Sequence, residues 1–288
     1  MKKIIIMGLF MLALAGCGTA QKSSISLSSS TKTEEKVKSP TPQKTAIPTL
    51  FIHGYSGTEN SFSGMMKRME KNDFAKKELM MKVSPAGTVT MTGQLSGKKD
   101  NPMIQVLFED NKNTEWSQAQ WLYNCLAALK KVGVDKVNLV GHSMGGVSGL
   151  RYLMTYPNDD TQPQVIKFVA IGAPFNDFLD TSETQSIQEL LKNGPNEYSS
   201  RYQDYQNLAG NLDKKIQILL LAGQLNQNTF NDETVPTTSA LSVNALLSQT
   251  NKVSTQIFYG ANAQHSQLHE NKEVDKAVAD FLWPQSIH

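Results

Sequence analysis

The chain has 288 residues with 28 basic and 26 acidic side chains, which leaves a net charge of +2. This balance, and the lack of a basic patch interleaved with aromatic residues, argue against nucleic-acid binding. The two cysteines and five histidines form no cluster with zinc-ligand spacing. We therefore expect no cofactor and no catalytic metal, although a calcium site built from loop oxygens stays open.

The N-terminus has the pattern of a secretory signal, with a short basic start and an apolar stretch over residues 4–14. The sequence Leu-Ala-Gly-Cys follows and resembles the bacterial lipobox. This resemblance implies that Cys17 is lipidated after removal of residues 1–16 and anchors an extracytoplasmic protein to the cell membrane. An uncleaved membrane anchor and an ordinary secretory signal with a chance cysteine are the alternatives.

Residues 17–47 combine the predicted lipidated cysteine with a flexible tether. The segment is rich in Ser, Thr, Lys, Gln, Glu and Pro and has almost no apolar residues, so it cannot bury a core. A flexible chain of about 30 residues spans on the order of 30 Å. Residues 48–288 are then long enough for one α/β domain with its own core.

The most informative stretch of the chain is Gly141-His142-Ser143-Met144-Gly145, a G-x-S-x-G motif. An apolar, strand-like run precedes it and a helix-compatible segment follows, which is the setting of a nucleophile elbow. In such an elbow the backbone passes so close to the turn that only glycine fits two residues before and after the serine. The motif predicts Ser143 as a nucleophile, the alternative being a chance match.

A serine nucleophile needs a general base, which is usually histidine. Three of the five histidines are poor candidates because they precede the motif, belong to it or end the chain: His53, His142 and His288. We expect His53 to tether its loop. His265 and His269 remain, in a loop after the apolar strand predicted at residues 255–259. His265 comes first after that strand and is the predicted base, with His269 as the alternative.

The base in turn needs a carboxylate, which in the order Ser, acid, His lies between the motif and the base. Asp232 follows the strand predicted over residues 215–222 and stands in a polar loop closed by Pro236. It is the predicted acid, although an Asn-Asp pair is also common in plain turns. Glu233 and Asp177 are the rival carboxylates.

An oxyanion hole requires two main-chain N–H groups directed at the developing negative charge. The residue after the nucleophile, Met144, is expected to supply one of them. Tyr55 is expected to supply the other, because it lies in a glycine-containing loop after an early apolar strand, residues 49–52.

These motifs together resemble the α/β hydrolases of the bacterial lipase and esterase type, and more narrowly a group of cell-surface α/β hydrolases from Gram-positive bacteria. The resemblance covers about residues 47–284 and is carried by Phe-Ile-His-Gly-Tyr (51–55), Val-Gly-His-Ser-Met-Gly-Gly (140–146), Ile-Gly-Ala-Pro-Phe (171–175), the acid loop (232–236) and Leu-His-Glu-Asn (268–271). It implies a mostly parallel sheet flanked by helices and a Ser-Asp-His triad, and no particular substrate. The acid loop departs from the group's pattern, which often reads Asp-Gly where Asp232-Glu233 stands.

Two segments are predicted to extend this core. Residues 83–108 have glycine breaks and β-type alternation, which predicts a β-hairpin extension. Residues 176–212 are polar and partly helical, and we interpret them as a cap over the serine, the alternative being a solvent-facing helical connection. The Lys- and Glu-rich run at 67–78 is interpreted as the solvated face of a helix.

The sequence as a whole predicts a serine hydrolase that cleaves carboxylic esters, of the esterase or lipase kind, at the cell surface. Its expected partners are a small-molecule or lipid ester and the membrane bound through Cys17. The alternative is a non-catalytic surface binding or adhesion lipoprotein that has kept a hydrolase fold. Acyl chain length and oligomeric state are left open.

Overall fold

The computed structural model describes residues 42–156, 160–226 and 228–285. The predicted signal peptide, Cys17, most of the tether and His288 lie outside these residues. Within them, no helix has both the length and the apolar character needed to cross a membrane.

The fold is organised around one eight-stranded sheet in which every pairing except β2–β3 is parallel. The strands are β1 (Thr49–Ile52), β2 (Lys76–Val83), β3 (Val89–Gly93), β4 (Pro102–Phe108), β5 (Lys136–His142), β6 (Gln164–Ile171), β7 (Phe175–Phe178), β8 (Gln217–Gln224) and β9 (Lys252–Tyr259). Their order in the sheet is β3-β2-β4-β1-β5-β6-β8-β9, and β7 lies outside it. The predicted mostly parallel sheet is confirmed.

Helices cover both faces of this sheet. They are α1 (Asn60–Lys71), α2 (Glu115–Lys131), α3 (Met144–Thr155), α4 (Ile187–Asn193), α5 (Ser200–Leu208), α6 (Thr237–Leu241), α7 (Asn244–Leu247) and α8 (Lys272–Leu282). Strand β1 illustrates the layering: Leu50 and Ile52 enter the core shared with α2 and α3, while Phe51 enters the core shared with α1 and α8. Central strands are therefore apolar on both faces, as expected for a parallel sheet between two helical layers.

The predicted β-hairpin extension is present, but it begins earlier than expected. Its antiparallel strands are β2 and β3, whereas β4, within the predicted segment 83–108, pairs with β2 in parallel. The prediction of a solvated helix face over 67–78 is accordingly wrong beyond Lys71, where α1 ends. The charges at 76–78 belong to the start of a strand that buries alternate residues further on, among them Met81 and Val83.

The segment predicted as a cap contains most of β7 and helices α4 and α5. Helix α5 packs on α3, the helix that follows Ser143, where the Tyr205 hydroxyl donates to the Val147 carbonyl at 3.4 Å. Tyr202 and Tyr205 are both buried, so this helix is not simply a solvent-facing connection.

Candidate active site

Ser143 stands in a strained turn between β5 and α3. Its backbone has φ 53° and ψ −125°, a region that residues with a side chain rarely occupy. A Cβ atom on Gly145 would lie 2.2 Å from the Ile52 carbonyl oxygen, and one on Gly141 would lie 2.4 Å from the Gly145 carbonyl. The two motif glycines are therefore required by the close approach of backbone, as the elbow interpretation expects.

The structure brings Ser143, His265 and Asp232 into one hydrogen-bonded chain. The distance from His265 Nε2 to Ser143 Oγ is 2.9 Å, and that from His265 Nδ1 to Asp232 Oδ2 is 2.8 Å. Because an ionised carboxylate can only accept, the N–H of a neutral imidazole must be Nδ1–H, which donates a hydrogen bond to Asp232. Nε2 is then left free to accept the Ser143 hydroxyl proton.

The Asp232 carboxylate is held on both of its oxygens. Its Oδ1 accepts the main-chain N–H groups of Thr234 at 3.0 Å and Val235 at 2.7 Å, while Oδ2 faces the imidazole. A main-chain hydrogen bond also joins these two residues, because the His265 N–H donates to the Asp232 carbonyl at 2.8 Å. Asp232 is 1% exposed, so this carboxylate is fixed and shielded from solvent.

The alternative catalytic side chains that the sequence offers do not join this hydrogen-bonded chain. His269 contacts Glu270 through Nδ1 at 3.2 Å, and Asp177 pairs with Arg201. Glu233 is exposed at φ 74°, a left-handed conformation that favours glycine. This is the position at which the resembling group often has Gly, so the departure in the acid loop costs backbone strain and leaves the carboxylate in place.

The two predicted oxyanion donors flank Ser143. Met144 begins α3, where the first N–H groups of a helix have no partner within the helix. Tyr55 follows Gly54, at which a Cβ atom would lie 2.8 Å from Ser143 Cβ. Across the described ranges the structure records no acceptor for the main-chain N–H of Tyr55 or Met144. Both donors are therefore available to a ligand.

Sequence reasoning missed a contact of His142. This ring is 5% exposed, and its Nε2 lies 3.0 Å from the His265 carbonyl oxygen, to which it donates. The ring also packs between those of His265 and His269, at 4.7 and 4.8 Å between centroids. His142 thus braces the main chain of the predicted base, a role that the motif pattern alone does not indicate.

Burial lowers the pKa of three histidines around the site, most strongly that of His142, and also those of His53 and His269. His53 is tied to its surroundings, with its Nδ1 donating to the Gly54 carbonyl at 2.8 Å and its Nε2 accepting the Phe108 N–H at 3.0 Å. All three rings are therefore neutral at neutral pH.

We expect the free energy of unfolding to fall as pH decreases below about 6.5. A histidine whose pKa is lower in the folded state binds a proton more readily when the protein is unfolded. Its contribution to the free energy of unfolding is therefore complete above the pKa of the unfolded state and is lost as the pH falls. Urea unfolding between about pH 7.5 and about pH 5.5 measures this. The decrease in the free energy of unfolding over this pH range should be smaller in His142→Gln than in wild type. Equal decreases in the two proteins would contradict the assignment of His142 as a buried, neutral ring.

Arg68 of α1 anchors the turn that carries His265. Its Nη2 donates to the His269 carbonyl at 2.8 Å and its Nη1 to Glu270 at 2.7 Å, while its Nε and Nη2 both bond the Asp275 carboxylate of α8. Asp275 is buried, so the paired N–H groups of the guanidinium compensate the negative charge of a carboxylate that is shielded from solvent.

We expect Arg68→Ala to lower the free energy of unfolding by about 2–4 kcal/mol, because it leaves the Asp275 carboxylate buried without a partner. Arg68→Lys keeps the charge but loses the fork, and it should fall between this variant and wild type. Urea unfolding measures both, and Lys67→Ala on the exposed side of α1 is the control. A change in Arg68→Ala no larger than that of the control would refute the anchoring role.

No group of three or more His, Cys, Asp or Glu side chains in the described part of the chain could hold a metal ion. Cys125 is no rival nucleophile, because complete burial raises the pKa of its thiol to about 12.

Comparison with known proteins shows what this chain is similar to. A solved structure of a gene product from Listeria innocua is similar, with 28% identity, a TM-score of 0.76, and coverage of 82% of this chain and 93% of that one. A Lactobacillus plantarum protein, provisionally named a cell surface hydrolase, has 22% identity, a TM-score of 0.69, and coverage of 84% and 93%. No curated protein matches the chain.

A family model gives the assignment. The model for alpha/beta hydrolases of unknown function matches residues 36–285, which is most of the chain. The match confirms the resemblance that the sequence motifs indicate. The chain belongs to this family of alpha/beta hydrolases, DUF915.

Proposed function

We propose that this hydrolase cleaves carboxylic esters with Ser143 as nucleophile, His265 as general base and Asp232 as the orienting carboxylate. The observation that carries the proposal is the unbroken hydrogen-bonded chain of these three side chains, at 2.9 and 2.8 Å. Nucleophile and base within hydrogen-bond reach, with the base oriented by a third group, is the arrangement that activates a serine hydroxyl.

In the proposed reaction, Ser143 Oγ attacks the ester carbonyl as His265 Nε2 takes the hydroxyl proton. The main-chain N–H groups of Tyr55 and Met144 stabilise the tetrahedral oxyanion. Collapse of this intermediate breaks the ester C–O bond, and the imidazolium donates its proton to the departing alcohol. Water, deprotonated by His265, then attacks the acyl-enzyme, releasing the acid and restoring Ser143.

We further propose that the protein works outside the cytoplasm, held to the membrane by lipid on Cys17. This rests on the sequence of residues 1–17, with its basic start, apolar stretch and Leu-Ala-Gly-Cys. The polar segment that follows would act as the tether. Metabolic labelling with a fatty-acid analogue tests this, because Cys17→Ser should abolish lipid incorporation.

A fluorophosphonate probe tests the proposed chemistry, since it reacts covalently with activated serines. We expect labelling of wild type and of Ser254→Ala, an exposed serine on β9, and no labelling of Ser143→Ala. Wild type should also cleave p-nitrophenyl acetate and leave the matched amide, p-nitroacetanilide, intact. If wild type is not labelled and does not cleave the ester, the proposed chemistry is wrong. The alternative, a binding role on a hydrolase fold, would then stand.

A further inference from the structure

A cavity of about 420 Å³ is lined in part by Met144, the residue that follows the proposed nucleophile in the chain. Its volume lies within the range of roughly 300–1,000 Å³ that small-molecule pockets have. The lining residues come from the segment after β4, from α2, α3 and α5, and from β7, and the charged ones are Lys112, Glu115, Arg151, Asp177, Arg201 and Asp204.

The wall of this pocket is charged but balanced, with three cationic and three acidic side chains. Glu115 pairs with both Arg151 and Arg201, in the second case with 2.6 Å between Glu115 Oε2 and Arg201 Nε. Arg151 also reaches Asp204 at 3.2 Å, and Arg201 pairs with Asp177. Because the charged side chains of this wall already pair with one another, the wall would not compensate the charge of a charged ligand.

The ion pairs also hold the wall in place. Arg201 and Asp204 belong to α5, whereas Glu115 and Arg151 belong to α2 and α3. Arg151 and Glu115 are 1% and 7% exposed, so separating them would strand a buried charge. An alkyl chain therefore cannot displace them, and covering them without new hydrogen bonds would cost desolvation.

The pocket nevertheless offers groups that a hydroxyl-rich molecule can use. Lys112 and Ser200 are exposed and can donate, and the carboxylates of Asp177 and Asp204 are partly accessible and can accept. A hydroxyl group both donates and accepts, so it matches such a mixed wall. Trp116 is half-exposed, with Arg151 3.9 Å from its ring centroid, and gives the pocket an aromatic surface.

We propose that this pocket binds the alcohol part of the ester, and that this alcohol is an uncharged polyol such as a sugar. The inference rests on the proposed function, because the pocket is placed by its contact with Met144 beside the proposed nucleophile. We assign the pocket to the alcohol part because, in an ester formed from a polyol, the hydroxyl groups that are not esterified remain on the alcohol.

Three acetate esters that differ only in their alcohol test this: 6-O-acetylglucose, octyl acetate and methyl acetate. Release of acetate by the full chain is followed by titration in each case. We expect kcat/KM for 6-O-acetylglucose to exceed that for octyl acetate by at least about 10²-fold, because only the sugar satisfies the polar wall. A kcat/KM for octyl acetate equal to or above that for the sugar ester would overturn the proposal.

Two variants connect the preference to the pocket. Trp116→Ala and Lys112→Met should each reduce the ratio of kcat/KM for 6-O-acetylglucose to that for methyl acetate, in the first case by up to about tenfold. Gln203→Ala, on the exposed side of α5, should keep the wild-type ratio. An unchanged ratio in both pocket variants would refute the assignment of this cavity.

Fluorophosphonate labelling separates the two levels of failure. A protein that is labelled at Ser143 but cleaves none of the three esters retains the proposed chemistry and contradicts the polyol substrate. A protein that is neither labelled nor active contradicts the proposed function, and the substrate inference falls with it.

Discussion

Asp232→Asn is expected to lower kcat for an activated ester by about 10⁴-fold without unfolding the protein. The Asn oxygen can keep the two N–H bonds that Asp232 Oδ1 accepts from Thr234 and Val235. The amide nitrogen would then face His265 Nδ1 and donate to it, which moves the ring proton to Nε2. A protonated Nε2 cannot accept the Ser143 hydroxyl proton.

Glu233→Gln is the matched control for this variant. It makes the same carboxylate-to-amide change one residue later, on an exposed side chain in the same turn. Its kcat should stay within about twofold of wild type, as expected for a surface substitution remote from the chemistry. Equal losses in the two variants, or a loss in Asp232→Asn below about tenfold, would contradict the orienting role of Asp232.

His265→Ala is expected to lower kcat by about 10⁵–10⁶-fold, because His265 is the only base that hydrogen-bonds Ser143 Oγ in the described residues. His269→Ala should retain most of the activity, since its ring contacts Glu270 and packs on His142 and Phe62. Steady-state hydrolysis of p-nitrophenyl acetate measures both variants.

The comparison decides between the two histidines that the sequence leaves as candidates. Both lie in the turn that follows β9, so a general disturbance of this turn would affect them alike. If the two variants lose activity equally, or His269→Ala loses more, the assignment of His265 as the base is wrong. Urea unfolding of both variants shows whether either loss reflects stability instead.

The positions of the three proposed catalytic residues could be predicted because each is tied to a local pattern. Ser143 has glycines at fixed spacing, and Asp232 and His265 each follow the end of an apolar strand. Parallel strands bring such ends to one edge of the sheet, so chain order translates into proximity. The resemblance carried by these motifs likewise implied the mostly parallel sheet, which the structure confirms.

Contacts between distant side chains could not be predicted in this way. Arg68 and Asp275 are 207 positions apart, and Arg151 and Glu115 join two helices whose packing is set only by the folded core. The bond from His142 to the His265 carbonyl depends on the path of the loop, which no local pattern fixes. The start of β2 could not be predicted because its first residues are charged and at least partly exposed, as on a helix surface.

The central claim is that Ser143 forms a covalent bond with the acyl group of an ester. Rapid mixing of wild type with p-nitrophenyl acetate, acid quenching and mass spectrometry of the peptides test it most directly. We predict an acetyl group on the peptide that contains Ser143, formed in a burst with nitrophenol, and none in Ser143→Ala. Ester cleavage that continues in Ser143→Ala at the wild-type rate, or an acetyl group that maps to a different residue, would contradict the account.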